Sequence, residues 1–174
     1  MSEYGSEGSC WAPGSPEVPV GLGCIPWRVT PEDDGYRGPV CSADGSIVAV
    51  ADARIDNRDE LASSLGIAPR DMAGMSDTQL VLGAWRRWEH ECPRHLVGDF
   101  AFALWDGRRG ELFCARDALG QRVLFYHESA YGVELATTAE ALATLPHVDA
   151  ALDEQKVADF LVLLQRPERS FFQS

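Results

Sequence analysis

The sequence predicts an α+β domain, and three stretches predict it. Ser76-Asp77-Thr78-Gln79 has the spelling of a capping box, in which Ser76 accepts from the Gln79 backbone and the Gln79 side chain reaches back. Behind it Leu80, Val81, Ala84, Trp85 and Trp88 recur at helical spacing and place one apolar stripe on the helix. Leu96 to Asp106 (LVGDFAFALWD) is then too continuously apolar for a surface strand and reads as one buried on both faces. Asp106-Gly107-Arg108-Arg109-Gly110 turns it back into a return strand from Glu111 to Ala115. A long amphipathic helix followed by an antiparallel hairpin is the signature of segregated helices and strands rather than of alternating βαβ units.

The remaining elements follow in chain order. Met1 to Val20 is rich in Gly, Ser and Pro with no periodic apolar face, so an irregular N-terminal segment is expected there. Pro31 to Gly35 reads as an exposed turn, and Cys41 to Gly45 as a turn leading into a strand from Ser46 to Ala53. Asn57 is placed to cap a helix through Glu60 and Leu61 that Gly66 stops. A third short strand is expected from Arg122 to Tyr126, another from Gly132 to Thr138, and a short helix from Ala139 to Ala143. Asp153 caps a last helix with Val157, Phe160, Leu161 and Leu164 on one face.

Composition excludes some classes of partner. The 174 residues, 45% hydrophobic, suffice for one domain with a real core. A net charge of -12 and a pI of about 4.6 argue against nucleic acid or an anionic membrane as partner. There is no apolar run long enough for a membrane helix. Five cysteines, odd in number and without a CxxC pair, point to a reducing cytoplasm. His90, His95, His127 and His147 show no metal-ligand spacing, so no metal is expected.

The run SDTQLVLGAWRRW…LVGDFAFALWDGRRGELFCARDALGQRVLFY resembles the glutaminase half of asparagine synthetase-type enzymes, with their SDTE-headed helix, FAFAxWD strand and ARDxxGxxPLYY segment. Ala51 to Leu61 (ADARIDNRDEL) is similar to the same family's NGEIYNxxEL segment, and the likeness extends over about Leu22 to Phe172. The resemblance implies the N-terminal-nucleophile fold, an αββα sandwich of two antiparallel sheets between helical layers. It implies a glutaminase-like domain over residues 21–165, preceded by the irregular residues 1–20. Residues 166–174 then begin a linker to a synthetase domain that binds ATP and magnesium and adenylates a carboxylate. No cofactor is expected in this chain itself.

The same resemblance identifies where a glutaminase site would stand. The family exposes a cysteine at its mature N-terminus; no residue here matches it, and Ser2, after methionine removal, is the candidate left in that place. Pro26 falls where the family has a carboxylate-binding arginine, and Arg28 lies two residues on, along the same strand face. Asp52-Ala53 replaces the Asn-Gly of the family's oxyanion hole; an ionised aspartate has only acceptors to offer there. Asp77 matches the residue that binds the glutamine α-ammonium, a position the helix dipole also favours unaided. Arg116-Asp117 matches the family's ARD, whose charges are expected to pair within the fold.

Three functions are therefore weighed. The first is a silent glutaminase-like scaffold for an ATP-dependent amide-forming partner; lasso-peptide cyclases and β-lactam synthetases resemble this pattern without the cysteine, and the cyclases are favoured on the strand, Thr30-Pro31-Glu32 and Ala51 to Leu61 pattern. The second is a working glutaminase feeding ammonia to an asparagine synthetase-like partner, using Ser2, or Cys10 or Cys24 exposed by processing. The third is a stand-alone binding or regulatory module. The last helix and Phe171-Phe172 are expected to present an apolar surface to the partner, and to cause self-association without it.

Overall fold

The computed structural model describes residues 9–12, 19–25, 38–72 and 74–164. It divides into two compact units, Met1–Arg122 and Val123–Ser174. In the first, a four-stranded antiparallel sheet runs in the order β3 (Val40–Cys41), β4 (Ile47–Ile55), β5 (Gly98–Asp106), β6 (Glu111–Arg116). Helices α1 (Arg58–Leu65), α2 (Pro69–Met72) and α3 (Asp77–Trp88) and a 3-10 turn at Glu89–His95 fill the chain between β4 and β5.

The period of two along β5 sorts its side chains between two cores. Phe100, Phe102 and Leu104 join Ile47, Ala49 and Ile55 of β4 against Leu80, Val81, Ala84 and Trp85 of α3. On the opposite face Ala103 and Trp105 join Val48 and Leu22, with Val20 and Val50 packed alongside. Leu22 and Val20 come from a second ribbon, β1 (Ser9–Ala12) paired antiparallel with β2 (Val20–Gly23). The central sheet thus has helices on one face and a β-ribbon on the other, which is why β5 is buried on both sides as its sequence requires.

Local chemistry sets the element ends. Ser76 and Gln79 form the expected capping box, the Gln79 N–H donating to Ser76 Oγ and the Ser76 N–H to Gln79 Oε1. Gly66 ends α1 in the left-handed conformation (φ 70°). Trp88 is half-buried and stacks on His95, ring centroids 4.0 Å apart. Beyond α3, the 3-10 turn is held to the β5–β6 hairpin by the ion pairs Glu89–Arg109 and His90–Glu111.

The second unit contains the hairpin β7 (Phe125–Ser129) and β8 (Gly132–Ala136), then α4 (Ala139–Ala143) and α5 (Glu154–Leu161). Thr138 caps α4 and Asp153 caps α5 through side-chain bonds. Together these elements make the α+β class of fold that the sequence implies.

Four readings are corrected. Residues 1–20 are not irregular throughout, because Ser9–Ala12 forms β1; residues 1–8 and 13–18 lie outside the described residues. Asn57 stands at the start of α1 but makes no side-chain capping bond. Its amide instead receives the Val97 N–H (3.0 Å) and donates to the His95 carbonyl (3.0 Å), tying the start of α1 to the entry of β5. The third strand begins at Phe125 rather than Arg122, for a reason given below. Finally, α5 ends at Leu161, so Leu164 lies beyond the helix, past a left-handed Leu163 (φ 59°). Phe160 and Leu161 are exposed while Asp159 is buried, and Val157 is half-buried. Phe171-Phe172 lies outside the described residues.

Candidate functional site

Because β4 and β5 register Asp52 against Ala101 and Arg54 against Asp99, the face opposite the helices changes character along its length. At one end it is apolar, with Val48, Trp105 and Leu112 in line. Two pleats further, Asp52, Ala101 and Arg116 stand in one row, and Arg54 and Asp99 in the next. A charged floor thus continues directly from the apolar core under the β1–β2 ribbon.

The charges on that floor pair with one another. Arg122 approaches Asp52, Nη1 to Oδ1 at 3.4 Å. Arg54 pairs with Asp56 (3.0 Å) and reaches towards Asp99 (3.9 Å). Asp52 therefore presents a carboxylate already facing a guanidinium. Ala53 follows on the helix-facing side of β4, packed against the core.

The loop that delivers Arg122 is organised by Asp117, whose carboxylate is engaged by backbone N–H groups of that loop. The buried Asp117 carboxylate accepts from the backbone N–H groups of Leu119 (3.0 Å), Gln121 (2.9 Å) and Arg122 (2.9 Å). These bonds, the one from Arg122 foremost, hold its carboxyl below the ordinary carboxylate range. They also keep the backbone of residues 118–122 in a turn, and this delays the next strand. Arg116 lies alongside that turn: a Cβ on Gly120 would sit 3.4 Å from Arg116 Nη1.

Asp77 stands on the other side of the sheet, at the start of α3. The Arg58 guanidinium forms an ion pair with its Oδ1 and also donates to the Met75 carbonyl. The Ile55 N–H, at the end of β4, donates to Asp77 Oδ2 (3.1 Å). Both oxygens are thereby engaged in joining β4, α1 and α3. Asn would keep an acceptor for Ile55 but lose the charge facing Arg58. Asp77→Asn should accordingly cost about 1–2 kcal/mol by chemical denaturation, more than the loss of a dipole contact alone. Unchanged stability would show that the contact with Arg58 contributes nothing.

Ser2, Pro26 and Arg28 lie outside the described residues, as do the side-chain surroundings of Cys10. Cys24 follows β2 directly. Burial pushes the Cys92 thiol up to about 12 and the Cys114 thiol up to about 11, so neither is a nucleophile at neutral pH. Arg58 and Arg122 are missed by sequence reasoning because each acts on a residue far along the chain. The clearest hint to Arg58 was its place just after the matched Asn57. Histidine spacing likewise misses one cluster: His127 and Glu134 are cross-strand partners on β7 and β8, and the turn after α4 brings His147 to the same carboxylate.

A sheet with helices on one face and a β-ribbon on the other, its apolar face giving way to a charged floor, makes an α+β domain. The chain belongs to the glutamine amidotransferase domain family, which it matches over residues 28–174. Among proteins it is similar to, asparagine synthetase (glutamine-hydrolysing) 3 of Bacillus subtilis is 29% identical over 132 residues, covering 75% of this chain and 22% of that protein. Asparagine synthetase (glutamine-hydrolysing) 1 of the same organism is 26% identical over 151 residues, 87% of this chain and 24% of the relative. An amidase of Penicillium rubens is 32% identical over 111 residues, 62% of this chain and 16% of the amidase. The chain spans about a fifth of the length of these relatives. Among the described residues no helix is long and apolar enough to cross a membrane.

Proposed function

We propose that this domain is a glutaminase-type scaffold in which glutamine hydrolysis is silent. It would serve an ATP-dependent, amide-forming partner domain of the asparagine synthetase type. Within that group we favour the lasso-peptide cyclases, and a cytoplasmic location. ATP and magnesium belong to the partner domain in this reading.

The observation that carries it is the Asp52–Arg122 pair. In the family the residue at position 52 donates to the oxyanion of the tetrahedral intermediate. Here it is a carboxylate facing a guanidinium, and an ionised acceptor opposes the charge that hydrolysis develops. Loss of one such donor costs about 10²–10³ in rate, and a repelling charge costs at least as much. Asp77, which would hold the glutamine ammonium, is occupied in the fold by Arg58 and the Ile55 N–H. The relatives named as synthetases are four to five times longer than the matched region, which leaves room in them for a second activity. Exposed Phe160, Leu161, Val162 and Leu163 supply an apolar surface of the kind a partner domain covers.

The test is ammonia release from glutamine by the purified chain. Release should stay at the uncatalysed background. Release above background that Ser2→Ala, Cys10→Ala or Cys24→Ala abolishes would overturn the proposal in favour of a working glutaminase.

A further inference from the structure

We propose that His127, Glu134 and His147 form a binding site for one divalent transition-metal ion of the zinc class, which clips the turn after α4 onto the β7–β8 hairpin. The three residues come from three segments. His127 and Glu134 face each other across the ladder, so the pleat puts both side chains on one face. His147 sits in the short turn that follows α4, where the Val148 N–H bonds back to Leu145.

Their donor atoms converge. His127 Nδ1 lies 3.1 Å from Glu134 Oε2, and His147 Nε2 lies 2.8 Å from Glu134 Oε1. All three ligand atoms fall within 4.8 Å of one another. Zinc–nitrogen and zinc–oxygen bonds of 2.0–2.2 Å put tetrahedral donors about 3.4 Å apart, so small side-chain rotations close the set around an ion. The His127 side chain is only 10% exposed and that of Glu134 22%, while His147 (30%) stands at the mouth. The ring of Tyr131 packs on His147 at 5.5 Å.

The ring centroids of the two histidines are 5.9 Å apart, and one divalent ion between them satisfies a nitrogen lone pair of each together with the carboxylate. Two imidazoles and a carboxylate suit zinc, cobalt and nickel rather than calcium or magnesium. Three protein ligands leave a fourth position for water.

The experiment titrates the chain, stripped with chelator and desalted, with zinc chloride against a chromophoric competitor, alongside thermal melting. One equivalent should bind with a Kd on the order of micromolar or tighter, and the melting temperature should rise with free zinc. His147→Gln, an accessible position that leaves the fold in place, and Glu134→Gln should each weaken binding at least about tenfold. His90→Gln should leave it unchanged, since His90 pairs with Glu111 in the other unit. Cobalt should give a visible spectrum free of thiolate charge transfer. The proposal is overturned by the absence of saturable one-to-one binding, by binding that survives both His147→Gln and Glu134→Gln, or by a cobalt–thiolate band.

Discussion

Gly98→Ala is expected to destabilise the first unit by about 4 kcal/mol, or to prevent folding. Gly98 opens β5 opposite Ile55 with φ at 143°, a conformation open almost only to glycine. A Cβ there would lie 2.0 Å from the Arg54 carbonyl oxygen and 3.2 Å from the Asp56 nitrogen. Both are backbone atoms of the neighbouring strand, so no side chain can swing aside. Nor can the strand retreat easily, because Asp56 and Asn57 are bonded to Val97 on either side of the contact. Gly132 is the internal control. It has a similar φ of 139° but open space around its Cβ position, so Gly132→Ala should cost only the conformational strain, about 1–2 kcal/mol. Urea midpoints for the two variants check this, and equal losses would show that the clash at Gly98 is relieved.

Asp106→Ala should cost about 3 kcal/mol, because the carboxylate is fully buried and three groups depend on it. It accepts from Trp85 Nε1 (3.3 Å), from the Arg108 N–H (3.0 Å) and from the Arg108 guanidinium (Nη2 at 2.7 Å, Nε at 3.0 Å). The side chain thus joins α3 to the β5–β6 turn. Arg108 is the main reason its carboxyl is held below the ordinary carboxylate range, with Trp85 and the Arg108 amide adding to the effect against the cost of burial. The sign follows from linkage. The unfolded chain takes up this proton more readily than the folded one. The stabilisation is therefore complete above the unfolded value of about 3.9, and is lost as pH falls through the lower folded value. The stability gap between wild type and Asp106→Asn should be flat from about pH 5 to 8 and shrink below pH 4. A gap that grows on acidification would contradict the assignment.

What was legible in the sequence was what the chain encodes locally. The Ser76 capping box, the left-handed Gly66 and the doubly buried β5 each depend on a few consecutive residues, and each stands where the residues place it. Two of the misreadings come from a polar side chain whose partners are not those its type suggests. Asn57 has the right type to cap α1, yet its amide is used on His95 and Val97, some forty residues on. Asp117 looked like half of an ion pair and instead organises a turn, which moves the next strand by three residues. Gly98 gave no signal at all, since its constraint comes from a carbonyl on another strand. At the candidate site the replacements Asp52 and Ala53 could be read directly. The partner of Asp52, Arg122, could not, because only the register of β4, β5 and β6 brings it near.

The pairing of β4 with β5 also governs how this chain must fold. These are the longest strands, yet everything from α1 to the 3-10 turn intervenes between them in sequence. Their ladder cannot zip from a tight turn, as β5–β6 can, and the entropy of closing that long loop must be met before any of its hydrogen bonds form. The contacts that shorten the search are those joining the loop's ends and interior: Asn57 to Val97, and Asp77 to Ile55 and Arg58. They hold the finished structure, and we expect them to set the rate of ladder formation as well. Weakening them should therefore appear mainly as slower refolding, whereas losing Trp85 Nε1–Asp106, at the far end of the ladder, should appear mainly as faster unfolding.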